Sequence, residues 1–414
     1  MRKKSLVFLA LAAISLSACS YNPFNEFTGI NFYFISRLNV FQSLDYIFWD
    51  KNENCAGYEL YLYDEEITSS SKTSSTSSTD KSSEKPILTT VENSVKIESE
   101  WIGKKIKVVG FTYDTSKGIL NAVKTNVVSS KKLTITEMSV PSSTSAKLTI
   151  DNAYLREQFR SRDYGAIRIP NTVSYLNIVN VTNAYHPTFI FEKRDDGSDV
   201  RIDLNQSDLT AIDDLFGPSI FRYDGINTGL DFYFNITGRN FITAADLGNS
   251  DGAAIDLPRV TFYNYADIEN EQTVLSVHGG STTNSVYNSG YAIKAKRIVN
   301  HLPEPLIKFY GGDGGPGSTQ YGDGGTGQIP IISSCKVFTS IKNSIGLKSG
   351  NGGVGGSSGV GGNAYTYNYL INKPYKKYAD AFFCINEATV GKGGKSPGKL
   401  IDYQETKTSS SSKK

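Results

Sequence analysis

The 414 residues carry 43 Lys and Arg against 41 Asp and Glu, a formal charge of +2. Loss of Arg2, Lys3 and Lys4 with a cleaved leader would turn this to −1, which excludes a global basic field for nucleic acid or anionic lipid. Charged residues are only 20% of the chain and Met and Trp number two each. Gly, Ser, Thr, Asn and Tyr dominate instead, the composition of a β-rich exported protein, long enough for two or three units.

The chain opens with a basic start, an apolar run at residues 6–16 and then Leu16-Ser17-Ala18-Cys19. Basic residues, a short apolar core and small residues before a cleavage point describe a secretory signal peptide at 1–18, too short to span a bilayer. Leu-Ser-Ala-Cys resembles the lipobox of bacterial lipoproteins. That resemblance implies cleavage before Cys19, diacylation of its thiol and acylation of the new N-terminus. The implied partner is a membrane, held through the acyl chains of Cys19, and the implied location is the bacterial cell envelope. Ser20 rather than Asp follows the cysteine, which favours the outer membrane or cell surface.

Residues 19–29 read as a tether from the lipid anchor. Strand-like runs then occur at 30–35, 44–49, 58–63, 87–97, 106–113 and 123–128, separated by turn residues, as in a β-sandwich. Leu44, Phe48 and Trp49, the run Gly57-Tyr58-Glu59-Leu60-Tyr61-Leu62-Tyr63, and Ile106 to Tyr113 followed by Lys117-Gly118 resemble a fibronectin type III domain. The resemblance covers residues 30–130 and places 106–113 as the F strand. It departs at Lys107, where the family would carry a corner tyrosine. Residues 68–85 interrupt this domain with nine Ser, four Thr, three Lys, one Asp and one Glu. Nothing there can offset ordering entropy, so a disordered loop is expected.

From 131 to 305, short extended runs recur every 15 to 30 residues or so, with Asn, Asp and Gly between them. Ser174 to Val181 and Asp231 to Ile236 alternate like rungs of a parallel β-helix, and this part resembles right-handed β-helix proteins of the pectate-lyase type. Helical turns are expected at 152–160 and at 207–215, the second capped by Ser207. Residues 306–403 carry three glycine-rich arcs, at 311–327, 350–363 and 391–394, each after an extended segment. Glycine at this density lets polyproline II strands approach closely. Bundles of that kind, as in glycine-rich phage adhesins and surface proteins, are what the texture implies; a flexible linker is the alternative. Residues 404–414 read as a disordered tail.

The expected fold is therefore mainly β: a fibronectin III-like sandwich, then a β-rich module, in outline a parallel β-helix with packed glycine arcs.

Chemistry is sparse. Asp313 and Asp323 fall between glycines, not where calcium-binding glycine repeats need them, and Gly394-Lys395-Ser396 runs into Pro397 rather than a helix. His186, His278 and His301 sit in no catalytic or metal spacing, and no metal or other cofactor is expected. Cys335 and Cys384 are the better pair for a disulfide, with three free thiols, Cys55 included, as the equal alternative. Asp195-Asp196 and Asp213-Asp214 are acidic pairs. Asp199, Arg201 and Asp203 share one side of an expected strand, and Lys294 and Lys296 share another, as solvent-facing charge or as a lyase-like set. The alternating Tyr365, Tyr367 and Tyr369 are the candidate binding aromatics. The leading expectation is a non-enzymatic binding, adhesion or structural protein with a carbohydrate or protein ligand and no nucleic acid. The rival is a polysaccharide lyase or hydrolase on a β-helix.

Overall fold

The computed structural model describes residues 37–63 and 85–404, apart from short stretches at 116–118, 120–121, 138–139, 142–145, 213–215, 227, 247–251, 265–273, 284, 304–305 and 318–319. The expected strand at 30–35, the Ser/Thr loop and the C-terminal tail lie outside the described residues or nearly so. The protein is mainly β, as expected, and divides into two compact units.

The first unit comprises Met1–Val40, Asn52–Glu92 and Lys104–Thr134. Gly57–Tyr63, Lys105–Asp114 and Val123–Ser130 form the antiparallel heart of its sheet. Leu88–Thr90 adds to one edge antiparallel, and Arg37–Leu38 adds to the other in parallel. Leu60, Ile106, Val108 and Val128 are buried on its inner face. Glu59 is buried too, and takes hydrogen bonds from Tyr61 Oη at 2.9 Å and from Lys124 Nζ. Burial alone would raise its carboxyl pKa, but these two donors outweigh it and hold the group low.

The second unit comprises Phe41–Lys51, Asn93–Gly103 and Ile135–Lys414. The sandwich expected at 30–130 is thus divided, because the small antiparallel sheet of Val40–Ser43, Tyr46–Trp49 and Ser94–Lys96 groups with the C-terminal part of the chain. Phe48 belongs to one cluster with Val299 and Phe338, and Leu44 to another with Tyr233 and Tyr263.

The rest of this unit is a three-faced parallel coil. Its chain passes repeatedly through sheet 1 (seven strands, Lys147–Ile150 to Lys336–Thr339), sheet 2 (six strands, Asp208–Thr210 to Phe382–Cys384) and sheet 3 (five strands, Tyr164–Ile169 to Tyr291–Lys294). Every pairing in these three sheets is parallel and in register. The stack runs without a break across residue 305: Val274–His278 lies beside Ile307–Tyr310. The glycine-rich region is therefore the continuation of the coil, not a separate module. The apolar run at 293–299 is two strands on two sheets, with a corner at Ala295-Lys296.

Alternation sets what lies inside. Ile202, Phe234 and Phe262 stack inward in sheet 1, and Phe189 and Phe221 do so in sheet 3. Their rings form a continuous column: Phe189–Phe221 at 5.2 Å, Phe221–Phe234 at 5.3 Å, Phe234–Phe262 at 5.5 Å and Phe262–Phe309 at 6.0 Å. At the corner between sheets 1 and 2, Asn180, Gln206 and Gly238 occupy equivalent sites, all with positive φ (52°, 44° and 68°). One left-handed residue turns the chain there, a conformation that favours Gly and Asn and that Gln206 adopts at a steric cost.

Both ends of the stack are closed. Helix α1 (Asn152–Phe159), capped by Asp151, buries Leu155 and Phe159. At the other end, helix α2 (Tyr367–Asn372), capped by Thr366, and a 3-10 segment at Lys376–Ala381 bury Leu370, Tyr375 and Ala381. The second expected helix, at 207–215, is instead sheet 2 strand Asp208–Thr210. Ser207 is no N-cap: it donates to Asn205 O and receives Val181 N across the corner.

Candidate functional site

The glycine arcs leave the coil between sheets 2 and 3 as hairpins of extended strands. Outgoing strands at 311–317, 350–356 and 388–393 stack on one another, as do returning strands at 322–328, 359–363 and 396–399. Gly314 and Gly317 N–H donate to Asn351 and Val354 O in the next outgoing strand, both at 2.8 Å. Gly324 and Gly327 donate to Val360 and Asn363 O in the next returning strand, at 2.8 and 3.0 Å. Gly325→Gly315, Gly353→Gly325, Gly362→Gly353 and Gly391→Gly362 tie the two layers together at 2.7–2.9 Å. Bonds in several directions around each strand are those of a packed lattice with three residues per turn. A Cβ on Gly314 would land on the Gly325 carbonyl oxygen, and one on Gly353 on that of Gly315. The arcs are a built sheaf, and the linker alternative is excluded.

Three residues per turn also dictate where side chains can stand. In the first two hairpins they occupy every third position, Asp313 and Pro316, Asn351 and Val354 going out, and Asp323 and Thr326, Val360 and Asn363 coming back. The third hairpin keeps the spacing at Thr389 and Lys392 and at Ser396 and Lys399 but adds Val390 and Pro397 between them. Several replace a backbone ladder: Asp313 Oδ1 accepts Asn351 N at 2.6 Å, and Asn351 Oδ1 accepts Thr389 N at 2.9 Å. Asp323 and Asn363 do the same for Val360 N and Lys399 N, at 2.7 and 2.8 Å. This is why both aspartates fall between glycines. The turn before the first arc joins the stack, with Thr282 and Ser285 N–H donating to Asp313 and Pro316 O at 3.1 and 3.0 Å. Apolar side chains face solvent here and near the hairpin tips: Val286 is 75% exposed, Tyr321 73% and Val354 57%. Sequence reading missed these residues; only Val354 follows a Gly-Gly pair, and no local pattern marks Val286 or Tyr321.

The expected binding aromatics are placed otherwise. Tyr365 stacks on Tyr369 at 4.8 Å, and Tyr367 Oη donates to Phe382 O at 2.7 Å; all three are half-buried against the main core. Their alternation is not that of an exposed strand, because Thr366 starts α2 between them. Cys335 and Cys384 are free thiols, as is Cys55. Cys335 lies buried at the entry to the last strand of sheet 1, its pKa pushed up by burial; Cys384 sits in sheet 2 with its thiol toward Glu387, its pKa raised to about 11 by burial and that carboxylate. Different faces of the coil keep them apart. Cys19 lies outside the described residues.

On the outer face of sheet 1, charges are matched. Arg201 binds Asp203 in bidentate fashion at 2.7 and 2.9 Å, and Tyr175 Oη donates to the same carboxylate at 2.6 Å. Asp231 holds Arg259 at 2.7 Å and Arg297 at 2.6 Å, and its backbone N–H donates to Asp199. Burial raises the Asp199 pKa, with neighbouring Asp231 adding to it. Lys294 pairs with Asp256 in sheet 3 at 3.5 Å, while Lys296 lies at the corner, so these two lysines share no strand. Asp195 pairs with Lys193, and Asp196 closes a turn onto Ser198. Asp213-Asp214 lies outside the described residues. His186 Nδ1 meets Thr210 O at 2.7 Å, and His278 stacks flat on Tyr310 at 4.1 Å. Among the described residues, no three His, Cys, Asp or Glu side chains are grouped to hold a metal, and no helix is long and apolar enough to cross a membrane. Compared with known proteins, the chain matches no family model, no curated protein and no solved structure.

Proposed function

We propose that the chain is a lipid-anchored envelope or surface protein that binds rather than catalyses, with the glycine sheaf as its binding module. The observation that carries this is the sheaf itself. It spends two layers of backbone on a rigid slab with no interior side chains, and it raises Val286, Tyr321 and Val354 into solvent near its tips. Exposed aromatic and aliphatic groups on a rigid support form contacts at low entropic cost. A carbohydrate or protein surface is the expected ligand. The test is binding of the lipid-free chain to an array of envelope glycans and to intact cells. Tyr321→Ser with Val286→Ser should cut binding tenfold or more at unchanged Tm; equal binding overturns the tip assignment. The anchor is tested by palmitate labelling with globomycin: Cys19→Ala must lose the label, and a labelled Cys19→Ala chain refutes lipidation there.

The enzymatic reading, a polysaccharide lyase or hydrolase, draws on the raised Asp199 beside Asp231, Arg259 and Arg297. Release of unsaturated product from uronic-acid polymers, abolished by Asp199→Asn, would favour it over binding.

A further inference from the structure

The last hairpin of the sheaf differs from the two before it. Residues 311–328 and 350–363 contain no lysine, whereas Lys392, Lys395 and Lys399 follow in the last hairpin and are all exposed. The same hairpin departs from the glycine pattern, and the bonds across the stack show at which positions.

In the returning strands, one set of positions faces the next turn. Gly324 and Gly361 N–H donate to Val360 and Ser396 O at 2.8 and 2.9 Å, and Gly327 and Ala364 N–H donate to Asn363 and Lys399 O at 3.0 and 3.2 Å. A Cβ on Gly324 would meet Gly353 O, and one on Gly361 would meet Gly391 O. These two glycines therefore also form the seat on which the next outgoing strand lies. Val360 pairs with Ser396 and Ala364 with Leu400, so the equivalent residues in the last turn are Pro397 and Leu400. Pro397 has no N–H to donate, and its ring occupies the place where a further outgoing strand would sit. Leu400 is 53% exposed and faces the same way as its equivalents. Proline and lysine are the residues that blunt an edge against pairing with another chain.

We propose that the last hairpin is a stop: Pro397 and Leu400, flanked by the three lysines, close the sheaf against a glycine-rich strand from a second copy of the chain. Glycine at these two positions would leave a pair of free donors beside a seat without side chains. Glycine-rich strands specify their register weakly and are prone to swapping and alternate pairing. Stacking of one end on another is heterologous, so it does not close on itself and leads to filaments. The stop is independent of what the sheaf tips bind and of the lipid anchor.

The experiment uses the chain from Ser20 onward and a biotinylated peptide of residues 350–364, the hairpin on which the last one lies in the fold. The parent chain should capture little of it. Pro397→Gly with Leu400→Gly restores donors and seat together, and that variant should capture about tenfold more peptide or better. The same peptide carrying Gly361→Val should be refused, because its side chain meets the new seat. Pro397→Ala, at an exposed position, restores the N–H alone and should give a smaller gain at unchanged Tm. That single variant decides the matter if the double variant fails to fold. No gain from Pro397→Ala or from a folded double variant, capture by the parent equal to that by the variants, or equal capture of the Gly361→Val peptide overturns the proposal.

Discussion

The coil and the glycine sheaf are two parallel stacks made by the same turns of one chain, and they are held together by opposite means. Within the coil, sheets enclose side chains: Phe221, Phe234 and Phe262 are fully buried, and burial of such rings supplies the driving force. Within the sheaf there is nothing apolar to bury. Strands lie so close that a methyl group cannot fit, and cohesion comes from N–H···O bonds in several directions. The coil tolerates small changes of side-chain shape at a moderate cost. The first two hairpins of the sheaf have room for side chains only at every third residue.

That contrast can be broken at its strongest point first. Phe234→Ala should cost about 3–5 kcal/mol, because the side chain is fully buried between Phe221 and Phe262 and the space cannot close. Thermal unfolding of the whole chain reads it as a large drop in Tm. A loss below about 1 kcal/mol would show that the ring column is not what holds the coil.

The coil also buries a titratable ring. His301 comes directly after the sheet 1 strand Arg297–Asn300; its Nε2 lies 3.3 Å from Ser43 Oγ, and its ring stands 5.6 Å from Tyr46 and 5.7 Å from Phe48. Nδ1 has no partner among the described residues. Burial, against a weaker pull from Asp45, lowers its pKa to about 4. The unfolded chain then binds a proton that the folded chain refuses. This stability is fully present above about pH 6.5, and falls as pH drops toward 4, by about 3 kcal/mol in all. Urea midpoints across that range should fall with pH, and His301→Gln should flatten the slope. An equal slope in the variant assigns the acid sensitivity elsewhere.

Gly353→Val should cost about 1–3 kcal/mol by overpacking. Its signature is local: amide exchange should quicken across 311–327 and 350–363 while strands such as Asp231–Thr237 stay protected. Unchanged melting together with early proteolysis inside 350–362 would return the arcs to linker status.

The smallest effect expected is that of Asn351→Ala. It removes the acceptor for Thr389 N and Oγ1. The cost should be about 1 kcal/mol, read as faster exchange at Thr389. If Asn351→Ala matched Gly353→Val, side-chain ladders rather than close backbone packing would hold the sheaf.

Local pattern made much of this legible. Gly57–Tyr63, Lys105–Asp114 and Lys147–Ile150 alternate strongly enough to be read directly, and the helix expected at 152–160 is α1. The run at 207–215 was misread because Ser207 and Asp208 have the chemistry of a helix start, and only the neighbouring turns of the coil supply the bonds that make it a corner and a strand. Tyr365, Tyr367 and Tyr369 alternate in sequence, but a helix start at Thr366 undoes the alternation.

The sequence by itself determined the β-rich class, where glycine is dense, and which runs alternate. Those depend on residue type and on period, and both are local. The tertiary structure alone decided that the stack crosses residue 305 without a boundary, and that Asp313 and Asn351 serve the next strand's backbone. It alone placed Cys335 and Cys384 on different faces. Each depends on which strand lies beside which. Turns of the coil vary in length, so the neighbour of a strand is fixed by packing across the stack rather than by any period along the chain.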